Sequence, residues 1–100
     1  ENSIFKMEVY EELRKKGFEV DLDVGIGGYS IDLAIRKGND YVLGIECDSS
    51  LYKKNSETRE RDYHRQKFLE SRGWTVCRLW SSSWWNDKNQ EIEKIKELVD

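Results

Sequence analysis

The sequence predicts one α/β domain whose elements run in the order α-β-β-β-α-β-α along 100 residues. Apolar residues recur with a helical period in some segments and alternate with polar residues in the segments between them. Glycine-containing turns separate these segments, and the chain holds no proline, repeat or low-complexity linker that would mark a second domain. A chain of this length fits a single domain with a small core.

The first predicted helix covers 3–16, because Phe5, Val9 and Leu13 recur every four residues and Gly17 interrupts the run. Strands are predicted next, where apolar and polar residues alternate. Short glycine-containing turns connect these strands, so we expect an antiparallel meander. The three predicted strands cover 18–24, 29–36 and 41–48.

The second half of the chain predicts two helices around a fourth strand. A highly charged helix begins near Ser56, which is a favourable N-cap residue, and ends at Gly73. A serine-rich loop is predicted at 81–83, and the tryptophans after it pack back on the body. If one tryptophan is exposed, we expect it to be Trp84 or Trp85. The remaining predicted elements are a strand over 74–80 and a helix over 88–99.

Composition excludes several classes of protein. There is no apolar run of about 18 residues, so no membrane span is predicted, and no signal peptide is visible. Cys47 and Cys77 lie in strand-like runs and are expected to be buried free thiols, which favours a cytoplasmic location over a disulfide scaffold or a zinc site. Because the chain begins with Glu1, we expect a domain cut from a longer protein.

Asp32, Glu46 and Asp48 are the candidate chemical site. Side chains alternate faces along a strand, so Glu46 and Asp48 point the same way, and a short turn brings Asp32 beside Glu46. Three neighbouring carboxylates repel one another unless a charge such as a hard cation neutralises them. Mg²⁺ or Mn²⁺ held by carboxylates suits phosphodiester hydrolysis, and Lys53 is the nearest cation by sequence. Ordinary exposed strand acids are the alternative, against which the apolar context of these strands counts.

Charge is unevenly distributed along the chain. The formal net charge of -3 argues against a general nucleic-acid binder. The segment 53–72 nevertheless holds seven basic and four acidic residues, a net +3, and one basic face is enough to meet phosphate. Arg61 and Arg65 lie four residues apart on that predicted helix, where they either bind phosphate or pair with neighbouring acids. His64 is either a catalytic group or an ordinary surface histidine.

Several short segments occur in a fixed order along the chain, namely 28–35 (GYSIDLAI), 44–48 (GIECD), 59–62 (RERD), 65–66 (RQ), 73–74 (GW) and 78–81 (RLWS). This ordered set resembles the PD-(D/E)xK nuclease superfamily. The closest resemblance is to the small restriction-endonuclease-like, Vsr-like domains of the DUF559 and MTES_1575 type, which often end large helicase-like proteins. The resemblance covers nearly the whole chain and implies a restriction-endonuclease-like α-β-β-β-α-β-α core with a four-stranded mixed sheet flanked by helices.

The resemblance also implies an activity and a set of residues. It implies an endonuclease that uses Mg²⁺ or Mn²⁺ to cut DNA. It makes Asp32 and Glu46 the metal-binding acids, with Asp48 as a further ligand and Glu8 on the first helix completing the site. The groups expected to supply positive charge or to contact DNA are Lys53, Arg61, His64, Arg65 and Gln66.

Two departures from the superfamily pattern keep other functions open. Asp48 stands where the superfamily usually has lysine, and Ser49 and Lys53 stand where related domains often carry glycine and histidine. A catalytically weak nucleic-acid-binding module of a larger DNA-processing protein is therefore the main alternative. An interaction domain unrelated to nucleic acid is a third. The expected assembly is a homodimer or a fusion to a helicase-like protein.

Overall fold

The computed structural model describes residues 3–48 and 56–100, in the element order α-β-β-β-α-β-α-α. The predicted order is confirmed, apart from one additional short helix. The elements are α1 (Ser3–Lys15), β1 (Glu19–Ile26), β2 (Tyr29–Lys37), β3 (Asp40–Asp48), α2 (Ser56–Ser71), β4 (Thr75–Trp80), α3 (Ser81–Asn86) and α4 (Lys88–Val99).

The additional helix is α3, and the predicted loop at 81–83 is wrong. The helical turn buries Trp84 completely, with its ring 6.4 Å from that of Phe5 on α1, while Trp85 remains 58% exposed. Burying a tryptophan contributes far more than serine's weak preference against helices costs, so packing decides the local structure.

The four strands form one mixed sheet in the order β1-β2-β3-β4. The first three strands are antiparallel neighbours, which confirms the predicted meander, and β4 pairs parallel to β3. A parallel pair needs a crossover connection, and α2 lies within that connection. The strand β3 therefore has a neighbour on each side and is buried from Leu43 to Asp48.

The sheet separates two hydrophobic clusters. The larger one joins β2 and β3 to α1, α3 and α4 through residues such as Val9, Leu33 and Ile95. The smaller one joins the sheet to α2 through Leu69 and Trp74. Within residues 3–48 and 56–100, no helix is both long enough and apolar enough to span a membrane.

The β1–β2 pair changes faces part-way along its length. One cross-strand pair packs against the larger cluster and the next pair packs in the smaller one. Asp23 and Asp32 lie at this change, and Asp23 has a φ of 51°, a conformation that few non-glycine residues adopt. The two pairs on either side are Leu22–Leu33 and Val24–Ile31.

The helix α2 is fixed against the β1–β2 hairpin by an aromatic contact. The Phe68 ring lies 5.5 Å from the Tyr29 ring, and it covers Gly27 so closely that a Cβ there would overlap it. Leu69 is fully buried beneath the same helix. This docking turns Arg65, one helical turn earlier, towards the sheet.

Candidate functional site

Asp32 lies where β2 and β3 stop pairing through their backbones. The antiparallel register between the two strands ends at Leu33–Ile45. One residue further, the Asp32 carboxylate accepts a hydrogen bond from the Cys47 backbone N–H, with Oδ2 2.8 Å from the nitrogen. A side chain thus replaces a backbone acceptor and holds Asp32 beside the strand that carries Glu46.

Glu46 is a buried carboxylate, with 6% of its surface exposed. Arg65 Nε lies 3.0 Å from Glu46 Oε2 but lacks the angle of a hydrogen bond, so this oxygen has no hydrogen-bond partner among the described residues. Burial raises the pKa of Glu46 to about 7; the Arg65 charge lowers that pKa and the nearby Asp32 raises it. Desolvation prevails over the charges of Arg65 and Arg78 because the neighbouring carboxylates of Asp32 and Asp62 oppose them.

Acids and arginines alternate from Glu46 outward along one face of the sheet. Arg65 bridges Glu46 and Asp62, with Nη2 2.9 Å from Asp62 Oδ1. Arg78 on β4 in turn bridges Asp62, at 3.4 Å, and Asp48. Among the described residues, this network thus joins three carboxylates through two guanidinium groups. The repulsion expected among the predicted acids is relieved in the structure largely by arginine.

The structure brings two of the three predicted acids into a pair. Across residues 3–48 and 56–100, no three histidine, cysteine, aspartate or glutamate side chains converge closely enough to hold a metal ion. Asp48 is engaged by Arg78, whereas Glu46 presents an oxygen without a hydrogen bond. Mg²⁺ keeps several water ligands and is commonly bound through one or two carboxylates. The Asp32–Glu46 pair fits such an ion, and the three acids as metal ligands stay a prediction.

The fold agrees with comparisons to known proteins. The restriction endonuclease-like family model REase_MTES_1575 matches residues 5–99. This chain belongs to that family. The resemblance seen in the sequence motifs is thereby confirmed.

Two individual proteins are similar to this family member. The "Uncharacterized ATP-dependent helicase MG140 homolog" of Mycoplasma pneumoniae (strain ATCC 29342 / M129 / Subtype 1) is 21% identical over 82 residues, which is 82% of this chain and 7% of that protein. The chain thus spans a small fraction of this relative. The solved catalytic domain of the homing endonuclease I-Bth0305I superposes with a TM-score of 0.72 at 17% identity, covering 93% of this chain and 90% of that one. This likeness shows the fold.

Glu8, predicted to complete the acidic site, faces another part of the domain. Its Oε2 accepts hydrogen bonds from Lys88 Nζ at 3.1 Å and from the Trp84 indole at 3.4 Å. Glu8 therefore ties α1 to α3 and α4 in this structure. Among the described residues, the hydrogen bonds of the Glu8 carboxylate are with Lys88 and Trp84 and not with Asp32. A role for Glu8 in the acidic site stays a prediction.

Lys6 occupies the position beside Asp32 that sequence reasoning gave to Glu8. Its Nζ lies 2.7 Å from Asp23 Oδ1 and 3.8 Å from Asp32 Oδ1. The hydrogen bond to Asp23 raises the pKa of Lys6 above its ordinary value. No periodic pattern marks Lys6 in the sequence, because the contact joins a helix to two strands.

The predicted nucleic-acid contacts of α2 divide into two groups. Arg65 is turned inward, with 16% of its side chain exposed, and belongs to the ion network. Arg61, His64 and Gln66 lie on the exposed part of the helix. Lys53 lies outside the described residues. Arg78 was not predicted as a site residue, although it is the one charged residue in its strand.

The tryptophans also divide between core and surface. Trp74 and Trp84 are buried, whereas Trp85 and Trp80 are 58% and 41% exposed. Of the two tryptophans named as candidates for exposure, Trp85 is exposed and Trp84 is buried, and the exposure of Trp80 was not predicted. Trp80 ends β4 in register with Asp48, so its exposed ring lies at the same edge of the sheet as the ion network.

The buried charge of Glu46 predicts a pH-dependent stability. Because its pKa is about 7 in the folded protein and near 4.5 in the unfolded chain, ionisation lowers the unfolding free energy as pH rises between these values. In urea titrations with EDTA, we expect the unfolding free energy of Glu46→Gln to exceed that of wild type by about 3 kcal/mol at pH 8 and to match it at pH 4.

Glu93→Gln, on the exposed side of α4, is the matched control and should change stability little at either pH. A Glu46→Gln protein that is less stable than wild type at pH 8 would contradict this account, because Arg65 would then outweigh the desolvation of Glu46.

Proposed function

We propose that this chain is a divalent-metal-dependent endonuclease that hydrolyses phosphodiester bonds in DNA. The observation that carries the proposal is the buried Glu46 carboxylate, whose Oε2 lacks a hydrogen bond beside Asp32. An acid in that position is costly unless a ligand uses its charge. The restriction endonuclease-like family and the fold shared with a homing endonuclease catalytic domain support the same activity.

Asp32 and Glu46 would hold the ion, Mg²⁺ or Mn²⁺, between adjacent strands. When bound, such an ion polarises the phosphoryl oxygens and lowers the pKa of a water molecule. The Cys47 N–H orients the Asp32 carboxylate, and the buried strand β3 fixes Glu46. Arg65 also pairs with Asp62, so it would keep an acidic partner if an ion took its place at Glu46.

The exposed side of α2 would contact the DNA backbone. Arg61, His64 and Gln66 are exposed there, close to the inward-facing Arg65. Arginine and amide side chains position a duplex by hydrogen bonds to phosphate, without reading the sequence. The similarity to a protein named as a helicase supports the idea that this domain serves a larger helicase-like protein.

Plasmid cleavage tests the activity. Wild type should cut supercoiled plasmid with Mg²⁺ or Mn²⁺ and not with EDTA. Asp32→Asn and Glu46→Gln should each lower the rate by about 100-fold or more, because each removes a charged ligand while preserving side-chain shape. The matched controls are Asp40→Asn at the exposed start of β3 and Glu93→Gln, which should cut as wild type does.

Two results would contradict the proposal in different ways. Intact plasmid with wild type, across titrations of protein and both metals, would exclude the activity for this chain. If Asp32→Asn and Glu46→Gln both cut at the wild-type rate, these two residues are not the metal site, and the endonuclease activity itself is retained.

A DNA-binding module with weak catalysis is the second candidate function. The observation that favours it is the pairing of Glu46, Asp62 and Asp48 with Arg65 and Arg78. In this case DNA affinity persists while calorimetry detects no binding of Mn²⁺. Under the endonuclease proposal, the same titration shows Mn²⁺ binding that Glu46→Gln abolishes.

Both candidate functions predict that α2 contacts phosphate. Arg61→Gln should weaken binding to unrelated DNA duplexes by a similar factor and lower the slope of log affinity against log salt by about 1. Lys94→Gln on α4, also an exposed cation, is the control and should leave the slope unchanged. Unchanged affinity and slope in Arg61→Gln would place the DNA elsewhere on the domain.

A further inference from the structure

We propose that Lys6, held by Asp23, is the catalytic cation of this site and contacts the scissile phosphate. This role rests on the proposed endonuclease function. It assigns to α1 a positive charge that the sequence motif leaves open, because Asp48 stands at the position where the superfamily usually has lysine.

The geometry places one ammonium group between two carboxylates. Lys6 Nζ donates a hydrogen bond to Asp23 Oδ1 at 2.7 Å and lies 3.8 Å from Asp32 Oδ1. Asp23 is therefore its main partner, and the contact with Asp32 is a longer ion pair. An ammonium has three donors. Among the described residues, one of them is used in the hydrogen bond to Asp23, which leaves donors for a ligand at Asp32.

The Lys6 side chain is held in place and is accessible. Its exposed fraction is 20%, so the aliphatic part packs against the domain while the charged end reaches solvent. A fixed charge of this kind stabilises a transition state better than a freely moving lysine, because the protein has already paid for its orientation.

The backbone of Asp23 supports a positioning role for its carboxylate. Its φ of 51° is a strained conformation that aspartate and asparagine tolerate better than most residues. The strain lies where the β1–β2 pair changes faces, directly opposite α1. Strained residues persist where the surrounding structure holds them, often next to a functional site. Asp23 is thus a positioning residue that acts through Lys6.

Phosphodiester hydrolysis gives such a charge a defined task. As the water oxygen bonds to phosphorus and the bond to the leaving sugar oxygen breaks, negative charge grows on the phosphoryl oxygens. An ammonium beside Asp32 stabilises that charge more than it stabilises the substrate. Within the part of the chain that the structure describes, Arg65 and Arg78 each pair with two acids. Lys6 has one close partner there, Asp23, and only a long ion pair with Asp32.

Single-turnover cleavage of a DNA duplex at saturating Mg²⁺ tests this role, together with Mn²⁺ calorimetry on each variant. We expect Lys6→Gln to lower the cleavage rate by about 100-fold while Mn²⁺ binds at least as tightly as to wild type. Lys6→Arg keeps the charge and should retain much more activity than Lys6→Gln. Asp23→Asn keeps the backbone conformation and should lower the rate by about 10-fold, through looser positioning of Lys6.

The control is Lys15→Gln, at the other end of α1 with 72% of its side chain exposed, which should cleave as wild type does. Cleavage by Lys6→Gln within twofold of wild type overturns the Lys6 role, and inactive Asp32→Asn in the same assay then preserves the endonuclease function. If the cleavage rate of Lys6→Gln falls only because the variant no longer binds Mn²⁺ or no longer folds, the Lys6 role is also overturned. The same holds if Lys53→Gln, and not Lys6→Gln, lowers the cleavage rate by about 100-fold. A wild-type protein that cleaves nothing overturns the function and the role together.

Discussion

The burial of Glu46 in the strand β3 is the constraint on which the site depends. The Glu46 carboxylate loses its hydration when the protein folds. Its pKa of about 7 indicates that Arg65 offsets only part of this desolvation. The neighbouring charged residues hold Arg65 in place beside Glu46. Asp62 pairs with Arg65, and Arg78 joins Asp62 to β3. Because Arg65 and Arg78 each contact two acids, the residues act as one unit.

The site forms where the regular sheet stops. The β2–β3 ladder ends at Leu33–Ile45, and the Asp32 carboxylate then takes over as acceptor for the next strand. At the same level, Asp23 adopts a positive φ and reaches Lys6. In an uninterrupted ladder, the Cys47 N–H would pair with a backbone carbonyl and would not hold the Asp32 carboxylate. The interruption of the sheet therefore positions the acidic side chain.

The sequence predicted most elements because burial imposes a period on them, and it indicated the highly charged α2 by Ser56 at its start and Gly73 after its end. It failed at α3, where serines suggested a loop and the packing of Trp84 formed a helix. It located Asp32 and Glu46 by strand order. It did not find Lys6, and it gave no orientation for Glu8, because both depend on how α1 lies across the sheet. The alternation of side chains between the two faces of β2 also breaks at Asp32, because its neighbours Ile31 and Leu33 pack in different hydrophobic clusters.

The central claim is that Asp32 and Glu46 together hold a divalent cation. A crystal grown with Mn²⁺ and measured for anomalous scattering tests this claim most directly, because the signal locates the ion without reference to activity. The account predicts an anomalous peak in contact with carboxylate oxygens of both residues, with Arg65 moved off Glu46 and still paired with Asp62. Well-ordered density for both acids without a peak between them, and with Arg65 still 3.0 Å from Glu46, would contradict it.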